Sequence, residues 1–322
     1  MVPEKWPDSG VPVSTMFKVP SCADIASLDA DVAFLGVPFD QGTTNRPGTR
    51  FGPGAIRNSG VYNYYGYLGD MASRPTAAAG YFDIDTHQHY LYGLTMADCG
   101  DVNVVPSGVE LTYERVKRSV SRILDRRAFP IILGGDHGIT YPVLQAFSEF
   151  KSVDIVHFDA HMDYVHDYQG IRFTHGSPIR RCAELSFVNE ITSIGVRVAR
   201  QEPFDDAIKR GNRILSADRF RELGATQAIA QVPRSDAIYV TIDIDVLNPA
   251  EAPGTGTPVV GGLTYLELRE AIRRIPTRGR VVGLDLVEVS PPYDVSEQTS
   301  RLAGQLILDF LTSVWGEDTR DA

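Results

Sequence analysis

The sequence predicts an α/β fold in which a central, mostly parallel sheet is covered on both faces by helices. Two observations carry this. Short, nearly all-apolar runs recur along the chain, and segments of helical periodicity lie between several of them. A strand that is apolar on both faces belongs in a sheet buried on both sides, which is the pattern of parallel βαβ units.

The runs follow in order. The first four are "DVAFLGVPF" (31–39), "LTMADCGDV" (94–102), "FPIILGG" (129–135) and "VDIVHFDA" (153–160). The second four are "ITSIGV" (191–196), "NRILSA" (212–217), "AIYVTIDID" (237–245) and "RVVGLDLVEV" (280–289). Between them, 111–127 places Tyr113, Val116, Val120, Ile123 and Leu124 at three-and-four spacing, the mark of a helix with one buried face. The segment 296–315 does the same with Leu302, Leu306, Phe310 and Val314. There is no repeat, low-complexity tract or linker, so 31–322 reads as a single domain. Residues 1–30, rich in Pro and Ser, read as an N-terminal arm over that domain or over a neighbouring subunit.

Composition narrows the function. A chain of 322 residues with 43% hydrophobic and 22% charged residues can bury a sizeable core and is ordinary for a soluble protein. Its net charge of −10 argues against nucleic-acid binding. Cys22, Cys99 and Cys182 are scattered and odd in number, which suits a reducing compartment. The start has no apolar segment suited to a signal peptide, and no run approaches membrane-spanning length. The expectation is a cytoplasmic, soluble protein with no membrane partner.

In parallel α/β sheets ligands sit beyond the carboxyl ends of the strands. The polar residues closing the runs are therefore the candidates. Asp136 and His137 follow "IILGG", and Asp159, His161 and Asp163 stand two apart in "FDAHMD". Asp243 and Asp245 close "YVTIDID", and Glu288 closes "GLDLVEV". On a strand or its extended continuation, Asp159, His161 and Asp163 would share one face. Buried carboxylates gathered in one crevice repel one another by several kcal/mol unless a cation neutralises them.

The count of ligands bears on the metal. Four carboxylates and two imidazoles are too many for one tetrahedral zinc but suit two divalent ions sharing carboxylates. An oxygen-rich set without thiolate favours Mn²⁺, with Ni²⁺ or Co²⁺ as alternatives. Two ions supply four positive charges against four carboxylates. A pair roughly 3.5–4 Å apart is the usual device for generating hydroxide near neutral pH.

These residues lie within motifs that resemble a known family. "GGDHG" (134–138), "DAHMD" (159–163), "THGSP" (174–178), "DIDVLNPAEAPGTGTP" (243–258) and "EVSPPYD" (288–294) resemble the ureohydrolases, the arginase and agmatinase family. "GTTNRPGTRFGPGAIR" (42–57) is similar to the first loop of its agmatinase branch. The resemblance runs in the family's order from about Gly36 to the last helix. It implies a three-layer α/β/α domain with an eight-stranded sheet, a binuclear manganese centre, hydrolysis of a guanidino group to urea and an amine, and a homo-oligomer, trimer or hexamer.

Carried over by position, the resemblance assigns His137, Asp159, Asp163 and Asp243 to one metal. It assigns Asp159, His161, Asp243 and Asp245 to the other, with Asp159 and Asp243 bridging. His175 becomes the proton shuttle and Glu288 the carboxylate that grips the guanidinium, with Asp163 counted beside them among the catalytic groups. The chemistry agrees: an amine leaves protonated, which asks for a group titrating near neutrality, and a carboxylate can accept two hydrogen bonds from a planar guanidinium.

Other residues read more plainly. His157 shares the parity of Asp159 but lies deeper, as a hydrogen-bonded core histidine would. His87 and His89 form an HxH pair that no acid cluster completes, His166 reads as a loop or pocket-wall residue, and Asp136 as a group that orients a ligand. Val165 offers no side-chain donor where arginases hold an Asn, so arginine is expected to be a poor substrate. Arg172 and Arg46 are the cations that could still receive a carboxylate. Tyr164 and "VYNYYGY" (61–67) are expected to narrow the pocket.

Agmatine is the first substrate reading. The alternative is a shorter or carboxylate-bearing compound such as guanidinobutyrate, guanidinopropionate or guanidine. Two other classes compete: a single-zinc deacetylase-like enzyme, and a non-catalytic subunit, which should have lost ligands that are all present here.

Overall fold

The eight apolar runs become the eight strands of one sheet, all of them parallel. The computed structural model describes residues 14–60, 80–83 and 87–316. In chain order the strands are β1 (Val32–Val37), β2 (Tyr81–Asp83), β3 (Gln88–Tyr90), β4 (Met96–Asp101) and β5 (Phe129–Gly134). They continue with β6 (Val153–Phe158), β7 (Val188–Val196), β8 (Arg213–Ser216), β9 (Ser235–Asp243) and β10 (Gly279–Val287). The main sheet is ordered β4-β1-β5-β10-β9-β6-β7-β8. The short antiparallel hairpin β2-β3 was not expected, because three-residue strands are too short to show an alternation.

Among the described residues eight α-helices accompany the strands: α1 (Gly52–Asn58), α2 (Val109–Asp125), α3 (Thr140–Gln145), α4 (Pro178–Cys182), α5 (Gln201–Lys209), α6 (Ala217–Ala230), α7 (Tyr265–Arg274) and α8 (Gln298–Trp315). Strand alternation sorts them into layers. Val32, Phe34, Ile131, Leu133 and Val240 face α1, α6, α7 and α8, and pack with Ile56, Phe220, Leu268 and Phe310. Ala33, Leu35, Val37, Ile132 and Tyr239 face the opposite way, against Tyr113, Val116, Val120 and Ile123 of α2, Val143 of α3 and Ile179 of α4. A sheet with helices on both sides has no wet face, which is why its strands read as continuous apolar runs.

The described part of the N-terminal segment, Ser14 onward, packs on the domain. Met16, Phe17 and Val19 are buried, Phe17 lies edge-on to Phe34 at 5.7 Å, and the Met16 amide donates to Asp98 at 2.7 Å. Arg57 of α1 grips the same carboxylate with a fork of 2.8 and 2.9 Å. A buried acid on β4 thus ties segment, helix and sheet together.

Register positions the site. Val287 of β10 pairs with Asp243 of β9, and Phe158 of β6 with Ile242. The carboxyl ends of β5, β10, β9 and β6, neighbours in the sheet, therefore open onto one crevice. No helix among the described residues is long and apolar enough to cross a membrane.

Candidate metal centre

β6 ends at Phe158, so Asp159, His161 and Asp163 do not share the face of an extended strand. They lie in the loop beyond it, and Asp163 takes a φ of +46°, a left-handed conformation uncommon for a side chain of its size. The loop, not the period of two, turns all three inward.

His137 follows β5 in a single turn, His137–Ile139. Gly135 allows that turn, because a Cβ there would lie 1.9 Å from the carbonyl oxygen of Phe39. The ring Nδ1 of His137 faces Asp163 at 2.9 Å, Asp159 at 3.2 Å and Asp243 at 3.4 Å. Its Nε2 meets the Thr241 hydroxyl at 2.9 Å, and that hydroxyl donates to Asp285, which also accepts from Tyr239 at 2.8 Å. Having spent its proton on Asp285, Thr241 can only accept from His137, which places the ring proton on Nε2. Nδ1 is left with a lone pair aimed at three carboxylate oxygens. Only a cation makes that arrangement favourable, and a metal ion fits it. A proton is the alternative: burial opposes it, but Asp159, Asp163 and Asp243 together hold the His137 ring well above its ordinary pKa.

A second cluster adjoins the first. His161 Nδ1 lies 3.1 Å from Asp245 and 3.4 Å from Asp159. Asp159 shows its Oδ2 to His137 and its Oδ1 to His161, one oxygen to each cluster. Asp243 turns Oδ2 towards His137 while its Oδ1 accepts the Asp245 amide at 2.8 Å. Asp245 is held in turn by the Ala160 amide and the Thr257 hydroxyl, each at 3.1 Å. Burial, and then the charges of Asp245 and Asp159, push the Asp243 carboxyl well up. Four carboxylates this close cannot all ionise without counter-charge, so the donor set fits two divalent cations. His157 is buried, with Ser193 and Asp159 each 2.9 Å from its ring nitrogens, the contacts of a hydrogen-bonded core histidine, and with His137 and Asp159 it also forms a group close enough to hold an ion.

A pocket opens over these clusters. His175 lines its inner part and Glu288 lies directly behind that ring, both of them buried. Glu288 Oε1 accepts from the His137 amide at 2.9 Å and lies 3.1 Å from His175 Nδ1. Its Oε2 is buried without a partner. The residue sits at φ +65°, strain that the surrounding contacts must offset to aim the carboxylate. Thr44 closes the other side of His175, with its hydroxyl at 2.7 Å and its amide at 3.0 Å from Nε2. An amide can only donate, so the neutral ring carries its proton on Nδ1, towards Glu288. Burial lowers the His175 pKa, but Glu288 outweighs it and pushes the ring up to about 9.

Comparison with known proteins decides the family. The model of the arginase family matches residues 30–312. The chain belongs to the arginase family.

Within it, this ureohydrolase falls in the agmatinase branch and is a hydrolase of C–N bonds. It is 37% identical to an agmatinase, mitochondrial, of Gallus gallus, covering 96% of this chain and 88% of that one. It is 36% identical to a guanidino acid hydrolase, mitochondrial, of Homo sapiens, over 94% and 83% of the two chains. Among solved structures, proclavaminate amidino hydrolase from Streptomyces clavuligerus superposes with a TM-score of 0.80 at 32% identity, covering 94% of this chain and 97% of the other.

The ureohydrolase fold thus brings His137, Asp159, His161, Asp163, Asp243 and Asp245 together, with His175 and Glu288 beside them. His87 and His89 join no metal-binding group among the described residues. His166 is exposed and pairs with Asp167 at 2.9 Å. Val165 and Tyr164 do line the pocket, while 61–67 falls outside the described residues. Asp136 holds no ligand side chain. It accepts the Gly42 amide at 2.8 Å and the Gly138 amide at 3.0 Å, pinning the loop that carries Thr44.

Neither cation expected to receive a carboxylate is available. Arg46 donates to the carbonyls of Thr255 and Gly256 at 2.7 and 3.2 Å, and Arg172 pairs with Glu184 at 2.8 Å. Sequence reasoning missed Thr44, Thr241, Thr257 and Asp285. Two of them left a signal: Thr241 shares the alternation of Asp243 and Asp245, and Asp285 is a lone acid inside an apolar strand.

Proposed function

We propose that the protein hydrolyses a guanidino compound to urea and an amine, in an agmatinase-like reaction at a binuclear metal centre. The observation that carries this is Glu288 Oε2, a buried carboxylate oxygen without a partner beside two histidine–carboxylate clusters. Such an acceptor is costly unless a donor arrives, and the planar N–H edge of a guanidinium supplies one.

His137, Asp159, Asp163 and Asp243 would hold one ion and Asp159, His161, Asp243 and Asp245 the other, Mn²⁺ being favoured by oxygen ligands without thiolate. Ions bound there supply Lewis acidity and bring the pKa of water to near neutrality. The chain's residues do the rest. Glu288, fixed through Oε1 by the His137 amide and His175, orients the guanidinium with Oε2. His175 carries a proton between solvent and the leaving amine, its ring held by Thr44 and Glu288. The buried walls exclude water from the acceptor oxygen.

Elemental analysis of the purified protein is expected to give two divalent ions per chain, with urea release lost on chelation and restored by Mn²⁺ or Ni²⁺. One zinc per active chain would instead support the deacetylase-like reading. Glu288→Gln is expected to keep both ions while lowering kcat/KM roughly tenfold to a hundredfold, the weight of a charge-assisted hydrogen bond of about 1.5–3 kcal/mol. The same reading places the protein in the cytoplasm as a homo-oligomer, a trimer or hexamer.

A further inference from the structure

Urea-releasing chemistry fixes one end of the substrate, the guanidinium, and leaves the other end open. The relatives do not choose, since the agmatinase and the guanidino acid hydrolase are 37% and 36% identical to this chain. The first would present an ammonium at the far end of its substrate and the second a carboxylate.

Burial along the pocket shows where that end must lie. Asp243 and His175 at the floor are 3% and 7% exposed, while Tyr168 and Val198 at the mouth are 45% and 47% exposed. Met162 and Val165 line the pocket with apolar surface suited to a methylene chain. Arg200 lines the same pocket and is exposed. It immediately precedes α5, whose first-turn amides add partial positive charge on the same side. Apart from the two histidines at the floor, it is the one basic side chain in the described lining.

The other nearby cations are spent. Arg180 pairs with Glu184 and Asp206, and Arg210 with Asp206. Arg197 is fixed by backbone carbonyls, among them those of Asp245 at 2.7 Å and Val259 at 2.9 Å. The Arg200 side chain has no hydrogen bond or ion pair within the described residues, although Glu202, Asp206 and Asp167 line the adjoining cavity with it. Asp206 and Asp167 are themselves engaged, Asp167 with His166 and with the Gly170 amide at 2.8 Å.

We propose that Arg200 receives the carboxylate at the far end of a guanidino acid, so that this chain selects an anionic tail over a cationic one. The inference rests on the reading of the site as a guanidino hydrolase. Of the substrate classes left open by the sequence, it selects the carboxylate-bearing one. An arginine fork matches a carboxylate in two hydrogen bonds, and an ammonium at the same place meets like charge. Because Arg200 is exposed, its effect should be moderate, screened by salt, and felt in binding more than in turnover.

Urea release by the metal-replete full chain would be measured for agmatine, 4-guanidinobutyrate and 3-guanidinopropionate at low and high salt. Wild type is expected to favour a guanidino acid. Arg200→Ala should raise KM for the acids roughly tenfold with little change in kcat, the loss shrinking at high salt. Arg200→Lys should restore part of it, and Arg200→Glu should turn the preference towards agmatine. A wild type that prefers agmatine, or an Arg200→Ala variant that slows acid and agmatine alike, would overturn the inference while leaving the hydrolase reading intact. No urea from any guanidino compound would overturn both.

Discussion

Asp159→Ala is expected to empty both metal positions at once and reduce urea release to background. The reason is geometric. Asp159 turns one carboxylate oxygen towards His137 and the other towards His161, so its removal takes a donor from each cluster. It also frees the two groups that hold it: the His157 ring at 2.9 Å and the His161 amide at 2.6 Å. Asp245→Ala should differ, because of the two cluster histidines its carboxylate faces only His161, through the oxygen that also accepts from Thr257. That variant should lose one ion and keep the other.

Metal content and thermal unfolding separate these outcomes. Mn²⁺ at a hundredfold above its Kd stabilises a folded protein by about 2.7 kcal/mol, so wild type should show a clear rise in Tm on loading. In Asp159→Ala that rise should vanish, whereas Asp245→Ala should retain part of it. An Asp159→Ala variant that still binds two ions would show that the carboxylate does not bridge.

The fold was legible because burial on both faces of a parallel sheet imposes a pattern that survives in one sequence. Strands β1 and β4 through β10 fall where the apolar runs place them, to within three residues at either end. The ends drift for a physical reason. Asp159 and the residues after it read as a continuation of β6, but the chain leaves the sheet at Phe158 so that its polar groups can turn inward.

The six acids and imidazoles were legible for a related reason: polar side chains at the ends of apolar strands are costly and stand out. What supports them was not. Thr44 reaches His175 across 131 positions and Asp285 acts on His137 through Thr241, and no local pattern encodes such contacts. Arg200 was hidden differently. One arginine in a loop carries no signal until the structure shows that Arg46 and Arg172 are engaged elsewhere and that Arg200 alone borders the pocket unpaired.

His175→Ala is expected to lower kcat by roughly 10²–10⁴-fold while both metals stay bound. The ring is not placed as a ligand: its nitrogens face Glu288 and Thr44, and neither belongs to the carboxylate clusters. Glu288 keeps its hold on the His137 amide at 2.9 Å when the imidazole is gone, so the guanidinium's acceptor stays near its place. What is lost is the group that can carry a proton to a departing amine. The alternative is that His175 serves only to brace Glu288. A brace and a shuttle predict different kinetics. If His175 merely braces Glu288, its removal should resemble Glu288→Gln, with a loss spread between KM and kcat and no more than about a hundredfold in kcat/KM. If it moves a proton, the loss falls on kcat, and a small external base such as imidazole should restore part of the rate in the alanine variant but not in Glu288→Gln. A fully active His175→Ala variant would remove the residue from the reaction altogether.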